Sequence, residues 1–362
     1  INILYNIVDR MYIGHIPDVG AVALTGLGIS APLVLIISAF SSFAGGGGAP
    51  LAAIALGKND KNEAEKILGN AFSMLTLMAV VLTIVFTLIK EPLLYLFGAS
   101  DVTFNYANDY TSVYIMGTIF VQYALGLNLF ITSQGKTKNA MFSVLIGAIA
   151  NIILDPIFIF GFDMGVQGAA IATVISQTLS AIYVLRFLTS DHSIIRIRKK
   201  NMGLEIGLIK RIVSLGISPF IMQATESAIV IVFNTGLLKY GGDLYVGSMT
   251  IMQSIMQLLT VPVQGFTQGV QPIISYNYGA GNYKRVRETV RHSMKVTVGL
   301  TVSYFLLVLF VPGLFARIFT TNSDLLALVT RVLPIYMGGM WLFGVQMSAQ
   351  MFFVGVGEAK KS

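Results

Sequence analysis

Three carboxylates lie deep in apolar runs: Asp9 in YNIVDRMYIG, Asp155 in AIANIILDPIFIFG and Glu226 in IMQATESAIV. Each run belongs to a segment predicted to cross a bilayer, the first of them truncated. A carboxylate at the bilayer centre costs at least about 2.5 kcal/mol, so each is a candidate for function. The competing explanation for each is a satisfied interhelical hydrogen bond.

Asp155 has the richest context. Asn151 precedes it by four residues, so both fall on one helix face. Pro156 follows, lacks an N–H and frees the carbonyl of Ile152 one turn earlier. Carboxylate, amide and carbonyl oxygens therefore converge within one turn. Hard cations take oxygen ligands, which fits Na⁺, and a carboxyl is also a proton carrier. Thr173, in GAAIATVISQ on the next span, can add a hydroxyl.

Other chemistries find little support. The chain has no cysteine, so it holds no disulfide and no thiolate-bound metal. Its three histidines, His15, His192 and His292, are far apart in sequence, which argues against a histidine metal site. No nucleophile–base pairing stands out, and the expectation is that the protein is not an enzyme.

The elements that must position these groups are membrane helices. Charged residues are 11% of the 362, against about 25% in an average soluble protein. Hydrophobic residues are 55%, and mean hydropathy is +0.75, more apolar surface than a soluble fold of this length can hide. Spans are predicted at 1–14, 23–57, 67–89, 107–134, 138–160, 164–189, 205–239, 244–279, 285–311 and 325–356. Most Lys and Arg cluster in loops after the even-numbered spans, as in Lys58, Lys61 and Lys66, in Arg196–Lys200 and in Lys284–Arg291. Those loops are assigned to the cytoplasm. The net charge of +7 then reflects topology and anionic headgroups, not nucleic acid.

An internal repeat divides the chain. APLAAIALGKND aligns with QPIISYNYGAGN, matching Pro50 to Pro272 and Gly57 to Gly279. The same register carries Phe97 to Phe319 and Gly135 to Gly357. The fold class expected is an all-α polytopic membrane protein with two six-helix lobes, related by an axis along the membrane normal. The N-lobe is 1–189, the linker 190–204 and the C-lobe 205–362. Extending the register past residue 362 predicts two further helices, twelve in all against about ten here.

The run Gly45, Gly46, Gly47 and Gly48, just ahead of Pro50, is no phosphate loop. The nearby Gly57-Lys58 and Gly135-Lys136 both lack the required earlier glycine, which is Ala52 or Phe130. In a membrane, glycine lets backbones approach, and glycine with proline loosens a helix. The matching stretch of the eighth span carries Gly265, Gly269 and Pro272. Both halves are thus expected to hold a closely packed weak point, serving either static packing or a bend.

YNIVDRMYIG, GGGGAPLAAIALGKND, SQGKTK, NIILDPIFIFGFDMGVQGAAIATVISQ and QPIISYNYGAGN together resemble the multidrug and toxic compound extrusion (MATE) transporters, most of all their bacterial multidrug branch. The resemblance implies two lobes forming a V and export of organic cations by alternating access in exchange for Na⁺ or H⁺. It implies no cofactor beyond that ion, a multi-pass place in the bacterial inner (plasma) membrane, and a monomer. Asp9, Asn151, Asp155 and Thr173 match an N-lobe cation site. Glu226 matches one member of a C-lobe site whose second member, an Asp, is missing. The tenth span offers only Gln346 and Gln350 as polar candidates. A lipid-linked oligosaccharide flippase is the nearest rival, disfavoured because only Arg10 lies inside a span. An intramembrane enzyme is a more distant one.

Overall fold

A computed structural model describes residues 12, 13, 16, 19–319 and 323–358, all without β-strand. Asp9 lies outside the described residues, as does the side chain of Glu226. Helix α1 runs Gly20–Gly57 straight through Pro32 and Pro50. The Lys58–Asp60 turn ends it, with Asn59 at φ 63°. Helix α2, Lys61–Leu96, then starts on Asp60, whose Oδ1 accepts from the Glu63 N–H at 2.9 Å. That carboxylate satisfies one of the free donors of the first turn.

The predicted fourth span is not one helix. It is α3, Phe104–Met116, then α4, Thr118–Gln122, a π-helical turn, Tyr123–Leu127, and α5, Asn128–Ser133. The two arms meet at 63° about Gly117. Helix α6, Thr137–Pro156, ends in a second π-helical turn, Ile157–Gly161, and α7 follows at Gly165–Thr189. Pro156 donates no N–H, so the regular ladder gives way at that residue.

The seventh and eighth spans, predicted with a break at 240–243, are one helical segment, α8, Ile206–Gly279. Gly241 and Gly242 weaken a helix by about 1 kcal/mol each without forbidding it. Helices α9, Tyr283–Phe310, α10, Pro312–Phe319, α11, Ser323–Tyr336, and α12, Met340–Gly355, complete the described chain. The predicted tenth span is also bent, by 48° around Met337–Gly339. Five described helices are long and apolar enough to cross a membrane, or up to seven if each bent pair is one span. Leucine, isoleucine and phenylalanine side chains such as Leu77, Ile84, Leu88, Ile153 and Phe310 stand exposed on them, as lipid-facing surfaces require.

Two compact units divide the chain, Ile1–Ile221 and Met222–Ser362. The first is built around Leu33, Ile37, Leu82, Phe86, Tyr114 and Ile159. The second is built around Ile255, Val308, Ala316, Val329, Leu333 and Met337. The linker and the start of α8 group with the first unit. Arg198 Nε lies 2.9 Å from Glu65 Oε2 on α2, and Ser73 Oγ donates to the Met202 carbonyl at 2.7 Å. Asn70 Oδ1 accepts from the Glu205 N–H at 2.7 Å. The SQGKTK turn holds the linker's other end. Gln134 Oε1 accepts from Ser193 Oγ, the Ile194 N–H and the Ile195 N–H at 3.0, 2.7 and 3.2 Å.

The glycine run is a packing surface inside the first unit. Its members face several different elements. A Cβ on Gly45 would lie 2.5 Å from the Gly126 carbonyl oxygen in the first π-helical turn. One on Gly48 would lie 2.6 Å from Phe130 Cζ on α5, and one on Gly47 would overlap the Ile212 carbonyl of α8. Gly46 faces Pro219. In the second unit the expected counterpart differs, since a Cβ on Gly265 or Gly269 meets nothing within 4 Å. Those two glycines are not closely packed, because no described neighbour reaches their face of α8.

Candidate functional site

The site grows from the buried face of α6. Its buried residues are Ala140, Ser143, Gly147, Ala148, Asn151 and Asp155, none with a large apolar side chain. Helical spacing puts Ser143, Gly147, Asn151 and Asp155 in one stripe. The facing stripe of α7 carries Thr173, Ser176 and Ser180, all buried. Small residues on both sides let the two helices approach within the bilayer. At Gly147 the approach is closest, and an added Cβ would strike Ser180 Oγ.

Asn151 and Asp155 are 1% and 0% exposed. Asn151 Nδ2 donates to Asp155 Oδ1 at 2.8 Å. The i, i+4 geometry expected from the sequence is thus present, and it points the amide nitrogen at the carboxylate. Asn151 Oδ1 is buried with no hydrogen-bond partner among the described residues. Asn151 lines a cavity of about 20 Å³ that Thr173 also lines. That is room for one water or one small ion.

The structure therefore brings Asn151, Asp155 and Thr173 to one place. Tyr12 comes to the same end of the unit, where its ring meets Phe160 edge-on at 6.3 Å. Phe160 belongs to the π-helical turn just after Asp155 and Pro156. Gln346 and Gln350 belong to the second unit. They lie one turn apart on α12, where Gln346 Nε2 donates to Gln350 Oε1 at 3.4 Å.

Sequence reasoning missed four polar residues here. Ser176 Oγ is buried without a described partner and lines the cavity. Ser180 Oγ donates to the Ser143 carbonyl at 2.8 Å. Asn128 Nδ2 donates to Ser143 Oγ at 2.5 Å and to the Ala140 carbonyl at 2.9 Å. The available signal was the serine spacing on α7, which a search centred on charges passes over. Among the described residues no three His, Cys, Asp or Glu side chains come together. Among the described residues the donor set is one carboxylate with an amide oxygen and hydroxyls, the hard oxygen ligands that suit a small cation.

The comparisons with known proteins agree with this architecture. The MatE family model matches residues 1–157 and 219–362. The multidrug export protein MepA of Staphylococcus haemolyticus (strain JCSC1435) is 26% identical over 351 residues, covering 95% of this chain and 75% of its own. MepA of Staphylococcus aureus (strain MSSA476) is 24% identical, with 95% and 76% coverage. Among solved structures, a ligand complex of the MATE multidrug transporter DinF-BH superposes with a TM-score of 0.90 at 34% identity, over 99% of this chain and 80% of that one. With both halves of the repeat matched by one family model and the same helical framework in a solved member, the chain belongs to the MATE family of multidrug efflux transporters.

Proposed function

We propose that this protein is a secondary antiporter that exports organic cations in exchange for Na⁺ or H⁺. One observation carries the ion-coupled part. Asp155 is fully buried in an apolar helix and accepts a hydrogen bond from Asn151, which with Thr173 lines a cavity of about 20 Å³. Holding a carboxylate there is costly in stability unless it binds something positive. The Asn151 carbonyl oxygen and the Thr173 hydroxyl supply neutral ligands for Na⁺. Alternatively, the carboxyl takes a proton and the amide holds it in place.

The small-molecule part draws on the relatives. Two are multidrug exporters by name, and the solved DinF-BH multidrug transporter is in complex with a ligand. Ion binding drives export only through different affinities in the outward-open and inward-open states. In this reading the ion binds from outside at Asp155, repacks α6 and α7, weakens the drug site and is discharged inward.

The test is transport by protein reconstituted in liposomes. A fluorescent organic cation is followed under a Na⁺ gradient and, separately, under a pH gradient. Movement under one gradient, abolished in Asp155→Asn, supports the antiporter and names its ion. Movement that persists in Asp155→Asn removes Asp155 from coupling. No movement under either gradient removes the antiport reading.

A further inference from the structure

The buried seam between α6 and α7 does not stop at the cation site. It continues for several helical turns toward the loop that carries Lys136 and Lys138. On α6 the stripe runs from Asp155 through Asn151 and Gly147 to Ser143. On α7 it runs from Thr173 through Ser176 to Ser180. Asn128 closes on Ser143 from α5, and near the helix ends Asn139 Nδ2 donates to the Tyr183 hydroxyl at 3.3 Å. At 1.5 Å per residue, Asp155 stands about 27 Å from the start of α6. The charge rule places that start in the cytoplasm.

Packing alone does not explain the seam. In a tightly packed membrane helix pair a serine satisfies its hydroxyl on a backbone carbonyl, as Ser143 and Ser180 do. Ser176 does not. Its Oγ is buried and unpartnered among the described residues, and the residue lines the cavity that Asn151 also lines. Two buried oxygens without partners on one cavity of about 20 Å³ are the setting in which an internal water is retained. The first π-helical turn contributes Ala124 and Leu125 to the wall. Such turns widen a helix locally and recur at functional sites. Ser143, Gly147 and Ser180 form the part of the cavity wall nearest the Lys136 loop, and there Ser180 Oγ bonds the Ser143 carbonyl against Gly147.

We infer that this cavity is a hydrated inner station on the route by which the coupling ion leaves Asp155 for the cytoplasm, with the Ser180–Ser143 contact as its inner gate. The inference rests on the antiport reading above and adds a direction and residues to it. The ion exchanges carboxylate and amide oxygens for water and serine hydroxyls, so no step strips it bare. Opening requires α6 and α7 to part at Gly147, which breaks the Ser180–Ser143 bond.

The 362 residues contain no cysteine, which makes a clean test available. Ser176→Cys and Ser180→Cys are each placed in the full-length protein in oriented membrane vesicles. Ag⁺, a thiol-reactive cation close in size to the alkali ions, is applied from one side. The protein is then unfolded in detergent and the remaining thiol is alkylated with a maleimide. Ile153→Cys, on the exposed face of α6, is the control. Loss of maleimide labelling at positions 176 and 180 after cytoplasmic Ag⁺, with labelling kept at 153, supports the route. Full labelling at both positions after cytoplasmic Ag⁺, or protection from the outer side alone, overturns it. If one variant does not fold, the other decides.

Because the readout is chemical, it separates from transport. Protection without ion-driven transport by the unsubstituted protein removes the antiport reading, and with it the ion's use of the route. Ion-driven transport without protection removes the route alone.

Discussion

Asn151 donates its side-chain amide to the carboxylate of Asp155 at 2.8 Å, and both side chains are buried. The bond fixes the amide orientation, because the nitrogen must face the carboxylate and the carbonyl oxygen then faces the cavity. Asn151→Ala removes both the donor and that oxygen. The expected result is about a tenfold weaker response to the coupling ion, which corresponds to about 1.4 kcal/mol. It is measured as the ion concentration that half-saturates drug export. Asn151→Asp adds a second carboxylate beside the first and is expected to be worse, since like charges there disfavour each other. An Asn151→Ala protein with unaltered ion dependence would show the amide to be a packing group.

Gly47 lies in backbone contact with Ile212, and a methyl group there has no room. Gly47→Ala is expected to destabilise the first unit by about 1–3 kcal/mol, because α1 and α8 must separate. Gly265→Ala and Gly269→Ala, each facing open space, are expected to be neutral or slightly stabilising through helix propensity. Thermal unfolding in detergent distinguishes them. Equal effects at positions 47 and 265 would contradict the packing role of the glycine run.

Glu65 is 2% exposed and paired with the partly exposed Arg198 at 2.9 Å. Arg198→Ala leaves a buried carboxylate without its cation and is expected to destabilise by about 1–3 kcal/mol. Glu65→Gln keeps the shape while removing the charge, and is expected to cost less. Combining it with Arg198→Ala should recover part of the loss. A double-mutant cycle on thermal stability measures the coupling. A coupling energy of zero would reduce the pair to a surface contact.

Gln134 holds three donors of the linker with one carbonyl oxygen. Gln134→Ala strands the Ile194 and Ile195 N–H groups. The expected outcome is faster limited proteolysis between residues 190 and 204, with the rest of the unit intact. Unchanged cleavage there would show that the Glu65, Ser73 and Asn70 contacts hold the linker without Gln134.

Much of the membrane architecture was legible because the bilayer imposes a simple rule. A helical span must be a long apolar stretch, so hydropathy located most helices. The Asn151–Asp155 pair was legible for a related reason. Their spacing is a property of one helix, and local geometry alone brings the side chains together. The bends at Gly117 and at Met337–Gly339 were less so, since glycine permits a bend without requiring one. The break predicted at 240–243, a stretch that holds Gly241 and Gly242, is likewise absent from α8.

What the sequence determined by itself is therefore most of the long apolar helices and the one-turn carboxylate–amide pair on α6. Which surfaces meet was decided by the tertiary structure. The four glycines read as either a bend or a packing surface until Gly126, Phe130, Ile212 and Pro219 stood opposite them. Ser176 drew no attention in the sequence, and only the walls around it leave its hydroxyl on a cavity with no described partner. The physical reason is the same for both. Periodicity reports which side of a helix is small or polar, whereas a cavity or a close contact belongs to two or more helices distant in sequence.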